Sequence, residues 1–345
     1  MRAALAALLM LPQAAHAQDW VTPEVCAVDE PFIAEQVFEP PGRAALEAEA
    51  ATIPNGTGRL WQIASPDGKV SHLWGTMHSS SRHVLDVPQE VIDILLASRS
   101  FAVERDFRHL DRDSYRRWIF WDGVFQQDRF LSVADILPDG ADPNIIVWIY
   151  ARLNDRGINS EDVSLLSLGG LMEILLTDPC EDFVGGTRPI LDDYLATRAH
   201  IANMPVRGLE GPHDIRDHVN ANEATASALI GMFGAYLMPV TSNAERATSF
   251  ALYRQGRISL MMAWDAAFLA EMLGPDAEAA VELGHSYLID DRNRTFVNAA
   301  LPDVTEGGAF LAVGAFHLPG EAGMVALFRD AGFTVTRVPL PGEAP

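Results

Sequence analysis

Twice in this chain an apolar run stops at a glycine that stands three places before a histidine. In SHLWGTMHSS, residues 71–80, Gly75 precedes His78; in FLAVGAFHLPG, residues 310–320, Gly314 precedes His317. A run rich in β-branched, aromatic and aliphatic residues that halts at glycine is expected to be a strand with a tight exit. The residues after each copy are also alike. After His78 comes VPQEVIDILLASRS, with Pro88 at a helix start and Val91, Ile94, Leu95 and Ser98 at helical spacing, and then the strand SFAVERDF. After His317 comes GEAGMVALFRDAG, a helix closed by Gly332, and then the strand FTVTRV. Two strand-GxxH-helix-strand units predict an α/β (or α+β) fold around a central, mostly parallel sheet. The strands of each unit are expected to be parallel neighbours joined by a right-handed crossover.

Ahead of the first unit, RLWQIASPDGKVSHLWGT places two β-rich runs around Pro66, Asp67 and Gly68, which is a hairpin signal. Residues 29–55, rich in Pro, Ala and Glu, read as a linker or frayed helix. The middle, about residues 107–300, is helical by periodicity apart from MPVRGLEG, a short strand ending at Glu210. The expected organisation is a leader at 1–17, an N-terminal extension at 18–56 and a single domain at 57–340. That domain carries a large helical insertion or cap at about 107–300.

The leader reading comes from MRAALAALLMLPQAAHAQDW, whose Arg, short Ala/Leu run and Ala15-His16-Ala17 site have the form of a secretory signal cut before Gln18. Export to a periplasmic setting would let Cys26 and Cys180 persist as a disulfide tethering the N-terminal segment to the body. Acidic residues outnumber basic ones by 47 to 25, a formal charge of −22 that argues against nucleic acid and anionic lipid as partners. The stretch ATASALIGMFGAYLMPV, residues 224–240, approaches membrane length, but its Ser, Gly and Pro and its lack of basic flanks predict a buried helix and no stable membrane span.

Functional groups of an open α/β sheet gather where strands end at their carboxyl edge. Four candidate strands end here in His78, Glu104, Glu210 and His317, so a parallel arrangement would bring two imidazoles and two carboxylates together. Two His and one or two carboxylates suit a divalent ion of the Zn, Mn or Co class with space for a water. Such an ion moves the water's pKa towards neutrality, and a remaining carboxylate can serve as general base. Without metal, the same residues read as a His/Glu pair for ester or amide hydrolysis. In DDRNRTF, Arg292, Asn293 and Arg294 concentrate donors that would hold a substrate carboxylate or an oxyanion, or else pair with Asp290, Asp291 or Glu282. HDIRDH, with His213 and His218 five apart, reads as solvated surface. The sequence has no HExxH, GxSxG, Walker, GxGxxG or EF-hand pattern.

The segments LWGTMHSS, FAVERDF, LDDYLATRAHIANMPVRGLEG, DDRNRTFV and FLAVGAFHLPGEAGMVALFRDAGFTVTRV, in this order over about residues 58–339, resemble the TraB/PrgY/GumN family and its TIKI relatives. The resemblance implies a metal-dependent protease using His78, His317 and Glu104, with Glu210 and the Arg292–Arg294 segment as further members of the site. The peptide or small-molecule substrate is not implied more closely. The wider fold group, similar to erythromycin esterases and ChaN-like haem-binding proteins, also implies two alternatives: a peptide- or haem-binding protein without turnover, and a metal-free esterase. Ser79, Ser80 and Ser81 depart from the apolar or Pro residues that many members carry after the first GxxH, and are expected to alter the rim of the pocket.

Overall fold

The computed structural model describes residues 21–106, 132–159, 162–184 and 188–345. The expected leader, residues 1–17, and the start of the expected insertion, residues 107–131, lie outside the described residues. Among the described residues six strands form one sheet: β1 (Leu60–Ala64), β2 (Val70–Thr76), β3 (Ser100–Val103), β4 (Val206–Gly208), β5 (Ala309–Gly314) and β6 (Thr334–Arg337), in the order β4-β3-β5-β2-β1-β6. β1 and β2 form the expected antiparallel hairpin, in which Gly68 takes φ 84° and Ser65 Oγ donates to Asp67 Oδ1 at 2.5 Å. β2, β5, β3 and β4 run parallel.

The expectation that the strands of each unit are neighbours does not hold. β5 lies between β2 and β3, while β6 crosses to the far edge and pairs antiparallel with β1. A helical crossover fixes direction but leaves room to pass over an intervening strand. The two GxxH strands pair in parallel over His72–Thr76 and Phe310–Gly314, and their exits pack on each other. A Cβ on Gly75 would lie 2.7 Å from Leu318 Cδ1 and 3.1 Å from Ala315 Cα, so the turn after β5 sits directly on the end of β2.

Side chains alternate across the central strands as the pleat requires. Phe101, Val103, Phe310, Ala312 and Trp74 enter the core on one sheet face, and Ala102, Leu311, Val313 and Leu73 enter the core on the other. The first face is covered by helices Gln89–Ala97, Leu191–Ile201 and Ala244–Arg254, the second by Arg292–Glu306 and Met324–Asp330. A sheet covered on both sides needs nearly continuous apolar strands, which is why these segments read so clearly in the sequence. A further core gathers side chains of helices and their connecting turns drawn from between Val133 and Tyr287, and represents the helical insertion.

Two other expectations change. Residues 29–55 follow the helical alternative and not the linker, and the helix is packed rather than frayed: a 3-10 turn at Glu35–Phe38 and a helix at Arg43–Ala50 bury Phe38 and Leu46 completely, and Trp264 Nε1 donates to Val37 O at 2.8 Å. Their few apolar residues sit at helical spacing within an Ala/Glu-rich background that hides them. HDIRDH is only partly surface, because Ile215, Arg216 and Val219 of the helix Asp214–Ala221 are buried and His218 stacks on Tyr287 with ring centroids 3.7 Å apart. The stretch 224–240 forms the buried helix Glu223–Ala235, and among the described residues no helix is long and apolar enough to cross a membrane. Cys26 and Cys180 are joined as a disulfide across 154 residues, the kind of bond that persists in extracytoplasmic compartments.

Candidate functional site

The four parallel strands release their chains at one edge of the sheet, and the side chains that come after them are drawn into a shared network. Glu104 directly follows β3. Its Oε1 accepts the Gly314 N–H at 2.6 Å and its Oε2 accepts from Arg292 Nη2 at 2.6 Å. Gly314 has φ −50°, so its conformation does not demand glycine; space does. A Cβ there would lie 3.2 Å from Glu104 Oε1 and 3.9 Å from His78 Nε2, in the gap between the groups that meet at this edge.

Glu104 Oε1 stands between the imidazoles, 3.9 Å from His78 Nε2 and 3.5 Å from His317 Nε2. The two rings sit in different surroundings. His78 follows the last residue of β2 by two places, and its side chain is 58% exposed. His317 closes a 3-10 turn at Ala315–His317 and is buried. His317 Nδ1 is 2.7 Å from Asn293 Oδ1, and Asn293 Nδ2 donates to Ala322 O at 2.9 Å. Since the amide nitrogen is committed as donor, Asn293 Oδ1 must accept, and the His317 proton is placed on Nδ1. Nε2 then carries the lone pair, facing Glu104 and, at 3.4 Å, Arg292 Nη1. Burial, with help from Arg292 and against Glu104, takes the His317 pKa down to about 3, so the ring is neutral across the physiological range.

Arg292 begins the helix Arg292–Glu306 immediately after a π-helical stretch, Ser286–Asp291. Such stretches redirect side chains and recur at functional sites. Arg292 also donates to Glu210 from Nε at 3.0 Å and from Nη2 at 2.7 Å, to Leu288 O from Nη1 at 3.1 Å, and lies 4.8 Å over the Phe296 ring. Glu210 is drawn in because the chain leaving β4 is bonded to the chain leaving β3, its N–H donating to Glu104 O at 3.0 Å. Burial pushes Glu104 upward, but Arg292 and the two imidazoles outweigh it and its carboxyl falls well below the usual range. For Glu210, burial wins over its bonds to Arg292 and the pKa rises. Arg292 is held firmly protonated, its two carboxylate partners outweighing the cost of burial.

One member of this network has no counterpart among the sequence-derived candidates. Asp192, in the first turn of the helix Leu191–Ile201, accepts from Thr76 Oγ1 at 2.8 Å and presents Oδ2 to His78 Nε2 at 3.7 Å. That Oδ2 is buried without a hydrogen-bond partner, and burial, with Glu104 beside it, raises the Asp192 pKa. Donor atoms of His78, Glu104 and Asp192 all lie within 4.8 Å of one another, so these three could hold a metal ion. Two adjacent acids opening a helix read in a sequence as ordinary N-terminal charge, and only the fold shows that Asp192 turns onto the sheet edge. Arg294, by contrast, stands outside the cluster: it is more than half exposed and pairs with Asp291 at 2.9 Å.

The charges fit a cation. Glu104 and Glu210 face Arg292 and, at 4.0 Å from Glu210, Arg105, while the third carboxylate, Asp192, faces only His78 among the described basic groups. The negative excess lies on the His78 side, where the unpartnered Asp192 oxygen lies. Ser79 and Ser80 fix the turn that carries His78. Ser79 Oγ and Ser80 N–H donate to Glu181 at 2.8 and 3.0 Å, the Ser80 hydroxyl donates to it as well, and Arg246 Nη2 meets the same carboxylate at 2.9 Å. Glu181 adjoins Cys180, so the disulfide anchors the loop that clamps this turn. Beyond His78 opens a cavity of about 660 Å³, with Met77, Phe316, Trp264 and Phe268 in its walls.

A mostly parallel α/β sheet whose paired GxxH exits, two strand-end glutamates and helix-borne Arg-Asn pair converge on one edge defines a distinct class of domain. The model of the TraB/PrgY/gumN family matches residues 59–337, and the chain belongs to that family. No curated protein matches the chain in sequence.

Proposed function

We propose that this chain is an exported, periplasmic, metal-dependent hydrolase of peptide or amide bonds. The observation that carries the reading is the approach of His78, Glu104 and Asp192 donor atoms to within 4.8 Å of one another, with a buried Asp192 oxygen lacking any partner. His78 is the exposed ligand, Glu104 and Asp192 the buried ones, and His317 offers its Nε2 lone pair from the far side of Glu104. A divalent cation of the Zn, Mn or Co class held there would supply Lewis acidity and a water acidic enough to react at neutral pH.

The pKa directions divide the two glutamates. Glu104, driven low, stays a carboxylate and suits a ligand; Glu210, driven up, suits proton transfer from the attacking water to the leaving nitrogen. Water adds its oxygen to the scissile carbonyl carbon, the C–N bond breaks, and the amine leaves with the transferred proton. Arg292, fixed between both glutamates, places positive charge where the carbonyl oxygen becomes negative. Asn293 acts through His317, fixing its tautomer. The leader reading and the Cys26–Cys180 disulfide support the assignment to the periplasm.

The test is peptide cleavage by the chelator-stripped chain, alone and after restoring Zn, Mn or Co separately. Turnover that disappears on stripping and returns with one of these ions supports the proposal; turnover that survives chelation favours a metal-free His/Glu esterase instead.

A further inference from the structure

The cavity beside His78 has a character of its own. The helix Ile258–Leu273 turns Met261, Trp264, Asp265 and Phe268 into it, positions at i, i+3, i+4 and i+7 that form one face. Three are apolar and the fourth is a carboxylic acid. Asp265 Oδ1 accepts from Tyr236 Oη at 2.9 Å, and Tyr236 stacks on Phe268 with centroids 5.9 Å apart. The remaining oxygen is 3.7 Å from His285 Nε2, and no Arg or Lys pairs with Asp265 among the described residues. His285 offers little compensation, because burial lowers its pKa. Arg246 is the single Arg or Lys among the described residues lining the cavity, and Asp178 and Glu181 already neutralise it. Glu245 and Glu271 add further negative charge to the lining.

An uncompensated carboxylate set among aromatic rings is costly to keep without a counter-charge, and it rewards a ligand that brings one. We infer that this cavity is the side-chain subsite of the enzyme and takes a lysine or arginine of a peptide, its aliphatic stem against Trp264 and Phe268 and its cationic head at Asp265. The stems of both residues pack on apolar surface while their heads seek charge, and the faces of the surrounding rings attract a cation as well. Burial raises the Asp265 pKa to about 6, which leaves the group ionised at pH 7.5. The cavity, at about 660 Å³, has room for such a side chain and part of the adjoining peptide.

The consequence for specificity rests on the hydrolase reading, whereas the binding does not, so the two are tested apart. Acetyl-Phe-Lys-amide, acetyl-Phe-norleucine-amide and acetyl-Phe-Glu-amide would be titrated into the full chain by calorimetry at pH 7.5 in chelator, where no metal-dependent turnover interferes. The lysine peptide is expected to bind about tenfold more tightly than its norleucine isostere, and the glutamate peptide most weakly. In Asp265→Asn the lysine advantage is expected to vanish while norleucine binding stays as it was, which also shows that the cavity is intact. Equal binding of lysine and norleucine by the unaltered chain, or no binding of either, would overturn the subsite. A lysine preference that persists in Asp265→Asn would overturn the role of that residue. Failure of hydrolysis with the lysine preference retained would count against the enzyme reading alone.

Discussion

Arg292 Nη2 lies 2.6 Å from Glu104 Oε2, a contact between residues 188 apart in sequence and buried on both sides. With Glu210 at 2.7 Å from the same nitrogen, the guanidinium is the common counter-charge of two carboxylates that end parallel neighbouring strands. It therefore has a structural as well as a proposed chemical role. Replacing it with Met should leave both glutamates buried without their cation and destabilise the fold by about 3–5 kcal/mol. Urea unfolding at pH 7 measures this, and a loss below about 1 kcal/mol would show that the pair behaves as a solvent-exposed one.

Glu104 fixes the pH dependence of the same contact. Its folded pKa is below the ordinary 4.5, so its contribution is fully present above that value and is lost as pH falls through it towards the folded pKa. The stability gap between the unaltered chain and Glu104→Gln should be constant from pH 7 down to about 5 and shrink at lower pH. Unfolding curves across this window would show it; a gap that grows on acidification would contradict the sign.

Asp192 behaves in the opposite way. Its folded pKa is raised by burial, so ionisation costs stability as pH rises through the unfolded value of 3.8. Asp192→Asn keeps the acceptor for Thr76 and removes the buried charge. In chelator at pH 7 this variant should be more stable than the unaltered chain by about 0.5–2 kcal/mol, yet bind metal more weakly. Destabilisation on this substitution without metal would mean that Asp192 is held by bonds rather than kept for a ligand.

The strand ends were legible because a sheet buried on both faces must be written in continuous apolar runs, and a residue after such a run stands at an edge. Hence His78, Glu104, Glu210 and His317 could be named from spacing, and the structure brings all four into one hydrogen-bonded and charged network. Strand order was not legible, because helical crossovers fix direction without adjacency, and the pairing of β2 with β5 and the contact of Gly75 with Leu318 join segments far apart in the chain. Nor was Asp192, whose acid looks like helix-start charge until the helix Leu191–Ile201 is laid on the sheet. Residues 29–55 misled for a related reason: Phe38 and Leu46 are decisive in the core but few in a segment dominated by Ala, Glu and Pro.

The disulfide links chain stability to the site through Glu181. Cys26→Ser with Cys180→Ser opens a loop of 154 residues and should cost about 2–5 kcal/mol. It should also loosen the clamp on Ser79 and Ser80 and so the turn bearing His78. Thermal unfolding and metal affinity, measured on the same preparation, are expected to fall together; an unchanged metal affinity would uncouple the disulfide from the site.

Asn293→Ala leaves the buried His317 N–H without its acceptor and frees the ring to change tautomer. A loss of metal affinity of about 10- to 100-fold is expected where such an outer partner orients a ligand, while a loss of stability with affinity unchanged would place His317 outside the coordination set.

The most direct measurement is the metal content and metal affinity of the chain itself, by elemental analysis after purification without added metal and by calorimetric titration after stripping. One divalent ion per chain is expected, bound by the unaltered protein, lost in His78→Ala and held more weakly by Asp192→Asn. Failure of the folded, unaltered chain to take up Zn, Mn or Co, or uptake that neither substitution weakens, would contradict it.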